Sequence, residues 1–294
     1  MIYAIVEGVE YDLNYGDPAK FEGEDDLGMP DLHRMEERGP MQHGSTDRGY
    51  RLDPRFPTYI FGIMASTKAQ LWDRRTELLR LFRPSQSIIM KHELPNGDIR
   101  YLDCVVNGGL KMPAQDRKAG IFQKVAVVLK ANDPTFYDPL ADEHTFALVG
   151  GADECLVPTE IPMTVGIGAS TVYLTEPIAN EGDVAAYPII RITGPIEDPK
   201  ITNISTGEVL DLDGITIAAG HYYEIDLRYG YKRVLDNHGV VRTAELSSDS
   251  DLVTWHLADD AEVTDGINSV EAQGIGMTDF SGISLVWFNR YIGI

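Results

Sequence analysis

One stretch, Gln42 to Pro84, constrains this chain more than any other. It runs from a polar, glycine-punctuated loop through an apolar strand into the only convincing long helix. Thr58 to Met64 (TYIFGIM) is rich in β-branched and aromatic residues and reads as a buried strand. Ser66 or Thr67 then offers a capping hydroxyl, and Gln70, three residues after Thr67, completes a capping-box pattern. Leu71, Leu78, Leu79 and Phe82 fall on one helical face with Trp72 beside them, while Asp73, Arg74, Glu77 and Arg80 take the other. Pro84 stops the helix after about sixteen residues, roughly 24 Å. A strand feeding a single amphipathic helix, in a half otherwise made of strands, predicts a sheet with one helix packed on it.

The rest of the first half fits that frame. Ile2 to Leu13 reads as an opening strand. Asn14 to Pro57 has little apolar periodicity and much Gly, Pro and charge, with a hairpin expected around Gly39-Pro40. A connection this long inside a domain is usually functional or held by a partner. Ser87–Leu94 and Ile99–Val106 flank Pro95-Asn96-Gly97-Asp98, a strong hairpin signal. Phe122–Ala131 adds a strand with Val125, Val127 and Leu129 on one face. The expected fold class is mainly β, beginning with a β-sandwich that carries one packed helix.

Length and punctuation divide the chain. At 294 residues two domains are the natural expectation: 1–140, a linker at 141–158, and 159–294. After the linker, short strands follow at close spacing: Thr171–Leu174, Tyr187–Thr193, Lys200–Asn203, Glu208–Leu212, Tyr222–Leu227, Lys232–Leu235, Leu252–Leu257, Gly266–Gln273 and Ser284–Ile292. Turns at Thr206-Gly207, Asp213-Gly214 and Asn237-His238-Gly239 separate several of them. Many short strands and no long helix predict a second β-sandwich.

Charge and composition exclude several functions. The formal net charge is −21. Residues 1–140 hold 18 basic and 21 acidic residues, a net of −3, whereas 141–294 hold 7 basic and 25 acidic, a net of −18. A nucleic-acid reader shows a basic patch, which the second half opposes. A near-neutral first half suits a body that stacks beside its own copies without self-repulsion. No run of eighteen apolar residues exists and no basic leader precedes the opening strand, so neither a membrane span nor a signal peptide is expected. Cys104 and Cys155 are too few for a disulfide framework and read as buried thiols.

Motifs for chemistry fail one by one. His92-Glu93-Leu94-Pro95-Asn96 lacks the second histidine of a zinc helix, and Gly166-x-Gly168 lacks the third glycine of a dinucleotide loop. His33, His43, His144, His221, His238 and His256 are scattered. Glu22, Glu24, Asp25 and Asp26 could hold Ca²⁺, and Asp211-Leu212-Asp213-Gly214 begins a calcium loop, but its later positions lack oxygens; solvated charge is the plainer reading of both. Trp255 and Trp287 lie on expected strands, where an inward tryptophan is the commoner outcome. No catalytic residue, metal or cofactor is expected.

Several segments, in order, carry a resemblance. Gln42-His43-Gly44, Gly49-Tyr50-Arg51-Leu52-x-Pro54-Arg55, the strand, and the Arg/Leu-rich helix stopped by Pro84 resemble the siphophage distal tail protein family. Lys130-Ala-Asn-Asp-Pro-Thr-Phe-Tyr-Asp138 is similar to the end of that family's N-terminal domain. Pro188–Pro195 and the closing Ser284–Ile294 are similar to its C-terminal domain. The resemblance implies a tail-tube-like domain assembling into a homohexameric ring, with the long loop as an extended arm at a subunit contact, followed in the chain by a galectin-like jelly roll. It implies a baseplate hub in the virion, assembled in the host cytoplasm. Such a hub would join the tail tube protein to the tail-tip or tail-associated protein, dock receptor-binding or fibre proteins, and pass DNA through its lumen without specific binding. Arginine is favoured at interfaces, which makes Tyr50, Arg51, Arg55, Arg74 and Arg75 the expected ring contacts. The alternative is a carbohydrate-binding adhesin module using Trp255 or Trp287. No His-x-Asn-Pro-Arg set accompanies them. A hydrolase with paired carboxylates is a third reading.

Overall fold

The computed structural model describes residues 1–15, 17–113, 121–146 and 171–294. Cys155, Gly150-Gly151, Gly166, Gly168 and most of the expected linker lie outside them. The chain is mainly β with one α-helix, in two units: Met1–Pro139 with Tyr291–Ile294, and Leu140–Arg290.

The first unit opens with β1 (Ile2–Val6) and β2 (Val9–Asp12), a hairpin rather than the single strand expected. Glu7 and Gly8 both sit at positive φ, 52° and 79°, the backbone that a two-residue hairpin turn demands. Then come β3 (Lys20–Asp25), β4 (Leu32–Glu37), β5 (Thr46–Leu52) and β6 (Thr58–Met64). The strand read from composition has the expected bounds, and its large side chains alternate: Tyr59, Phe61 and Ile63 are buried while Ile60 and Met64 face out, and Gly62 between them is covered as well. Helix α1 (Lys68–Leu81) is capped by Thr67, whose hydroxyl accepts from Gln70 N at 3.2 Å; the Gln70 amide oxygen answers by accepting from Ser66 N at 2.8 Å. Leu71, Leu78, Leu81 and Phe82 are buried. Leu79 is not: it and Trp72 lie about 80–100° around the helix from Leu71 and stay half exposed.

Strands β7 (Ser87–Glu93), β8 (Ile99–Lys111), β9 (Phe122–Lys130) and β10 (Phe136–Tyr137) complete the unit. The main sheet runs β2-β1-β7-β8-β9-β6-β3, with β10 pairing β8. The expected Asn96-Gly97 turn joins β7 to β8, with Gly97 at φ 96° and its N–H donating to Leu94 O at 3.0 Å. One core holds Tyr59, Phe61, Val125, Val127, Leu129 and the buried helix residues. Strands β4 and β5 pair only with each other.

The second unit is two five-stranded antiparallel sheets. Its strands are β11 (Asp142–Phe146), β12 (Thr171–Ala179), β13 (Ile189–Thr193), β14 (Ile196–Asn203), β15 (Glu208–Asp211), β16 (Thr216–Ile217), β17 (Tyr222–Asp226), β18 (Arg233–Asp236), β19 (Ile267–Ile275) and β20 (Gly282–Trp287). One sheet runs β11-β20-β13-β17-β18; the other runs β12-β19-β14-β15, with β16 beside β14. A second buried cluster, including Ile190, Ile201, Ile225, Trp255, Val270 and Leu285, fills it. The start of the expected linker, Asp142–Phe146, is an edge strand paired to β20. Leu252–Leu257 is a turn and not a strand: Thr254 N and Trp255 N both donate to Asp251 O, at 3.1 and 2.8 Å. Trp255 and Leu257 are buried, but Val253, which the alternation puts on the same face, is exposed. The closing strand β21 (Arg290–Tyr291) breaks what read as one long final strand. Its last residue and those after it belong with the first unit.

Candidate assembly surfaces

The β4–β5 hairpin is the most unusual surface of the first unit. Its register pairs Leu32 with Leu52, His33 with Arg51 and Arg34 with Tyr50, then slips at a bulge before Glu36 meets Asp47. Every residue of β4 and all but the last of β5 are exposed. Two cross-strand ion pairs hold it, Arg34–Asp47 at 2.6 Å and Arg48–Glu37 at 2.5 Å. Exposed pairs of this kind contribute about 0–1 kcal/mol each, and a lone two-stranded ribbon is at best marginally stable in water. Leu32, Met35, Met41 and Tyr50 are nonetheless left outside. Of the residues expected at a contact, Tyr50 and Arg51 lie on this ribbon, Arg51 within 3.7 Å of Asp53.

Arg55 does not. It is 1% exposed, and its guanidinium donates to three carbonyls: Pro134 O at 2.9 Å, Asp26 O at 3.2 Å and Ile292 O at 2.5 Å. Its plane lies 4.7 Å from the centre of Phe136. A planar fork that satisfies three loops at once is a structural clasp, so no face of Arg55 remains for a neighbouring subunit. Nearby, Arg100 stacks on Tyr291 at 3.7 Å and pairs with Asp138 at 2.6 Å, while Tyr291 Oη donates to Asp138 at 3.0 Å.

The helix arginines also separate. Arg74 donates to Met64 O and pairs with Asp17 at 3.5 Å, and its side chain is largely covered. Arg75 lies over the Trp72 ring at 4.2 Å. With Leu79 one turn further on, Trp72 and Arg75 form an apolar and cationic ridge at i, i+3 and i+7 on the exposed flank. The sequence reading placed Trp72 and Leu79 beside or on the core face and so missed this ridge.

In the first unit's core, His92 accepts or donates a 3.0 Å hydrogen bond with Tyr59 Oη. Burial, helped by the N-terminal amine and Arg55, lowers its pKa to about 4, and burial also raises Tyr59 well above its ordinary value. Among the described residues no three metal-binding side chains converge. Glu22 pairs with Lys124 at 3.0 Å, Asp26 accepts from Phe56 N at 2.8 Å, and Asp211 pairs with Lys200 at 3.0 Å.

In the second unit the two tryptophans face inward, Trp255 at 0% and Trp287 at 5% exposure. A sugar cannot stack on either, which corrects the adhesin reading that depended on them. A shallow recess beside Trp287 is bordered by Asp142, His144 and Glu181. His256 sits between Glu208 and Glu262, each 3.0 Å from a ring nitrogen.

No protein-family model matches the chain, and no curated protein is significantly similar in sequence. Solved structures are similar. The crystal structure of the SPP1 Dit protein, described as a paradigm of the hub adsorption apparatus in phages infecting Gram-positive bacteria, aligns over 99% of both chains with a TM-score of 0.65 and 12% identity. The chain has the fold of a Dit hub protein. The phage P2 baseplate in its activated conformation with Ca aligns over 97% of this chain and 98% of that one, at 7% identity and a TM-score of 0.46. Within this Dit fold, Tyr50, Arg51 and Arg75 are exposed or on the helix flank, and Arg55 and Arg74 are engaged inside the first unit.

Proposed function

We propose that this chain is a structural hub of a siphophage tail and carries out no catalytic step. The observation that carries this is the alignment with the SPP1 Dit hub along essentially the whole of both chains. In this reading the first unit closes into a homohexameric ring by a heterologous contact repeated around an axis, which needs no reactive group. The ring continues the tail tube, sits on the tail-tip or tail-associated protein, and passes DNA without binding it specifically. The second unit docks receptor-binding or fibre proteins. The site of action is the virion, reached after assembly in the host cytoplasm. A net of only −3 on residues 1–140 supports close approach of copies.

Tyr50, Arg51 and Arg75 are the ring contacts of this proposal, with Trp72 and Leu79 added to them. The ribbon β4–β5 is the arm: covering Leu32, Met35 and Tyr50 with a neighbour supplies the third layer that the ribbon lacks. Native mass spectrometry of the full chain tests the reading. A hexamer that falls to smaller species when residues 32–52 are replaced by a short Gly/Ser linker is expected. A monomer at every concentration contradicts it.

A further inference from the structure

The second unit holds only seven basic residues: Arg191, Lys200, Arg228, Lys232, Arg233, Arg242 and Arg290. Four of them gather at one group of tyrosines. Arg228 and Arg233 lie over Tyr231 at 4.8 and 5.2 Å, Lys232 Nζ over Tyr187 and Tyr229 at 4.2 and 5.4 Å, and Arg290 over the same two rings at 5.9 and 6.0 Å. In a half-chain with 25 acidic residues, that convergence is the one basic focus.

The β17–β18 connection that builds this focus, Arg228-Tyr229-Gly230-Tyr231-Lys232, is held in a costly conformation. Lys232 has φ 39°, a left-handed backbone that a non-glycine residue adopts at a cost of order 1 kcal/mol or more. Its ammonium nitrogen is sealed from solvent and makes no hydrogen bond among the described residues. Burial lowers its pKa to about 8, partly countered by Glu208 and Asp226. Tyr187 and Tyr229 share a 2.9 Å hydrogen bond between their hydroxyls and meet edge to face, with centroids 4.7 Å apart. Arg228 is fixed by a two-pronged pairing with Asp226, at 2.9 and 2.8 Å. Above this rigid base, Tyr229 and Tyr231 stay 64% and 50% exposed. Nothing in the packing of the sandwich requires two outward tyrosines here, because its core is closed by other residues.

We propose that this tyrosine-cation turn is a binding site for an anionic saccharide, with Tyr229 and Tyr231 as stacking platforms and Arg228 and Arg233 facing its acid group. The size of the feature favours a small ligand, since a stable protein interface covers about 800 Å² per side and this is one five-residue turn with Tyr187, Arg233 and Arg290 beside it. Nucleic acid is disfavoured because its affinity rests on many phosphate contacts, and the surrounding unit is strongly acidic. A neutral sugar would leave the gathering of cations without a role. A single ring bearing one carboxylate or phosphate matches what is present: flat aromatic faces already immobilised, so little side-chain entropy is lost on binding, and a local positive charge within an acidic body.

The experiment is isothermal titration of the full chain at low salt with three probes: an oligomer of glucuronic acid, the same oligomer with its carboxyls reduced, and a hexose-phosphate oligomer. Saturable binding to the glucuronate or the phosphate probe is expected, and which of the two binds names the acid group. The reduced oligomer is expected to bind at least tenfold more weakly. Tyr229→Ala with Tyr231→Ala should weaken binding tenfold or more while the circular dichroism of the folded chain is kept, and Arg233→Gln should reduce both affinity and its salt dependence. Absence of saturable binding to both anionic probes overturns the proposal. So does equal binding of the reduced oligomer, or binding that survives the double tyrosine substitution.

Discussion

The two units spend their strands differently. In the second, every described strand longer than two residues joins one of two sheets around a shared core, and its outliers are turns. The first unit leaves a whole hairpin, β4–β5, outside its main sheet with its apolar residues uncovered. A β-structure that completes itself needs no neighbour; one that holds a ribbon in solvent is finished by something else. Charge follows the same division, near neutral where copies are proposed to meet and strongly acidic elsewhere.

The largest effect is expected at Arg55. Arg55→Ala leaves the carbonyls of Asp26, Pro134 and Ile292 without their donor inside the first unit, at a cost of about 3–5 kcal/mol. Hydrogen exchange read by mass spectrometry should show protection lost across the first unit's strands and kept in β12–β20. Equal loss in both units would mean that they do not stabilise themselves independently.

Acid should separate them as well. His92 is buried neutral with a folded value near 4, so its contribution is complete above its ordinary pKa of about 6.5 and is lost as the pH falls toward 4, about 3 kcal/mol in all. For His256 burial acts downward, but the Glu262 hydrogen bond, the Thr254 carbonyl and Glu208 together raise its pKa. Its contribution is present at low pH and is lost as the pH rises through that raised value. Denaturation followed between pH 7 and pH 4 should therefore weaken the first unit selectively, and His92→Gln should flatten that dependence.

Smaller effects belong to single turns. At Gly194, a Cβ would lie 2.3 and 2.4 Å from the carbonyl oxygens of Ile217 and Ala218, so Gly194→Ala should cost the second unit about 1–3 kcal/mol by urea unfolding. Thr67→Ala removes the cap of α1 and should cost the first about 1 kcal/mol.

How much of this was legible depended on how local the cause is. The strand β6, the capping at Thr67 and Gln70, and the Asn96-Gly97 turn are dictated by neighbouring residues, and they stand as the sequence predicts. Arg55 was misread because its partners lie 29, 79 and 237 residues away, a distance over which no pattern warns that an arginine will be buried. Leu252–Leu257 imitated a strand because Val253, Trp255 and Leu257 alternate; the decisive residue is Asp251, whose carboxylate accepts from Val209 N and whose carbonyl closes the turn. Leu79 matches the apolar spacing of the helix yet stays half exposed, because it sits one step around from the buried Leu78. The acidic edge strand β11 has too little apolar content to announce itself.

Negative-stain imaging of the purified full chain distinguishes a closed ring from a free chain. The account predicts annular particles with six-fold averages and an open centre, lost when residues 32–52 are replaced. Fields of single, unassociated molecules at micromolar concentration would contradict it.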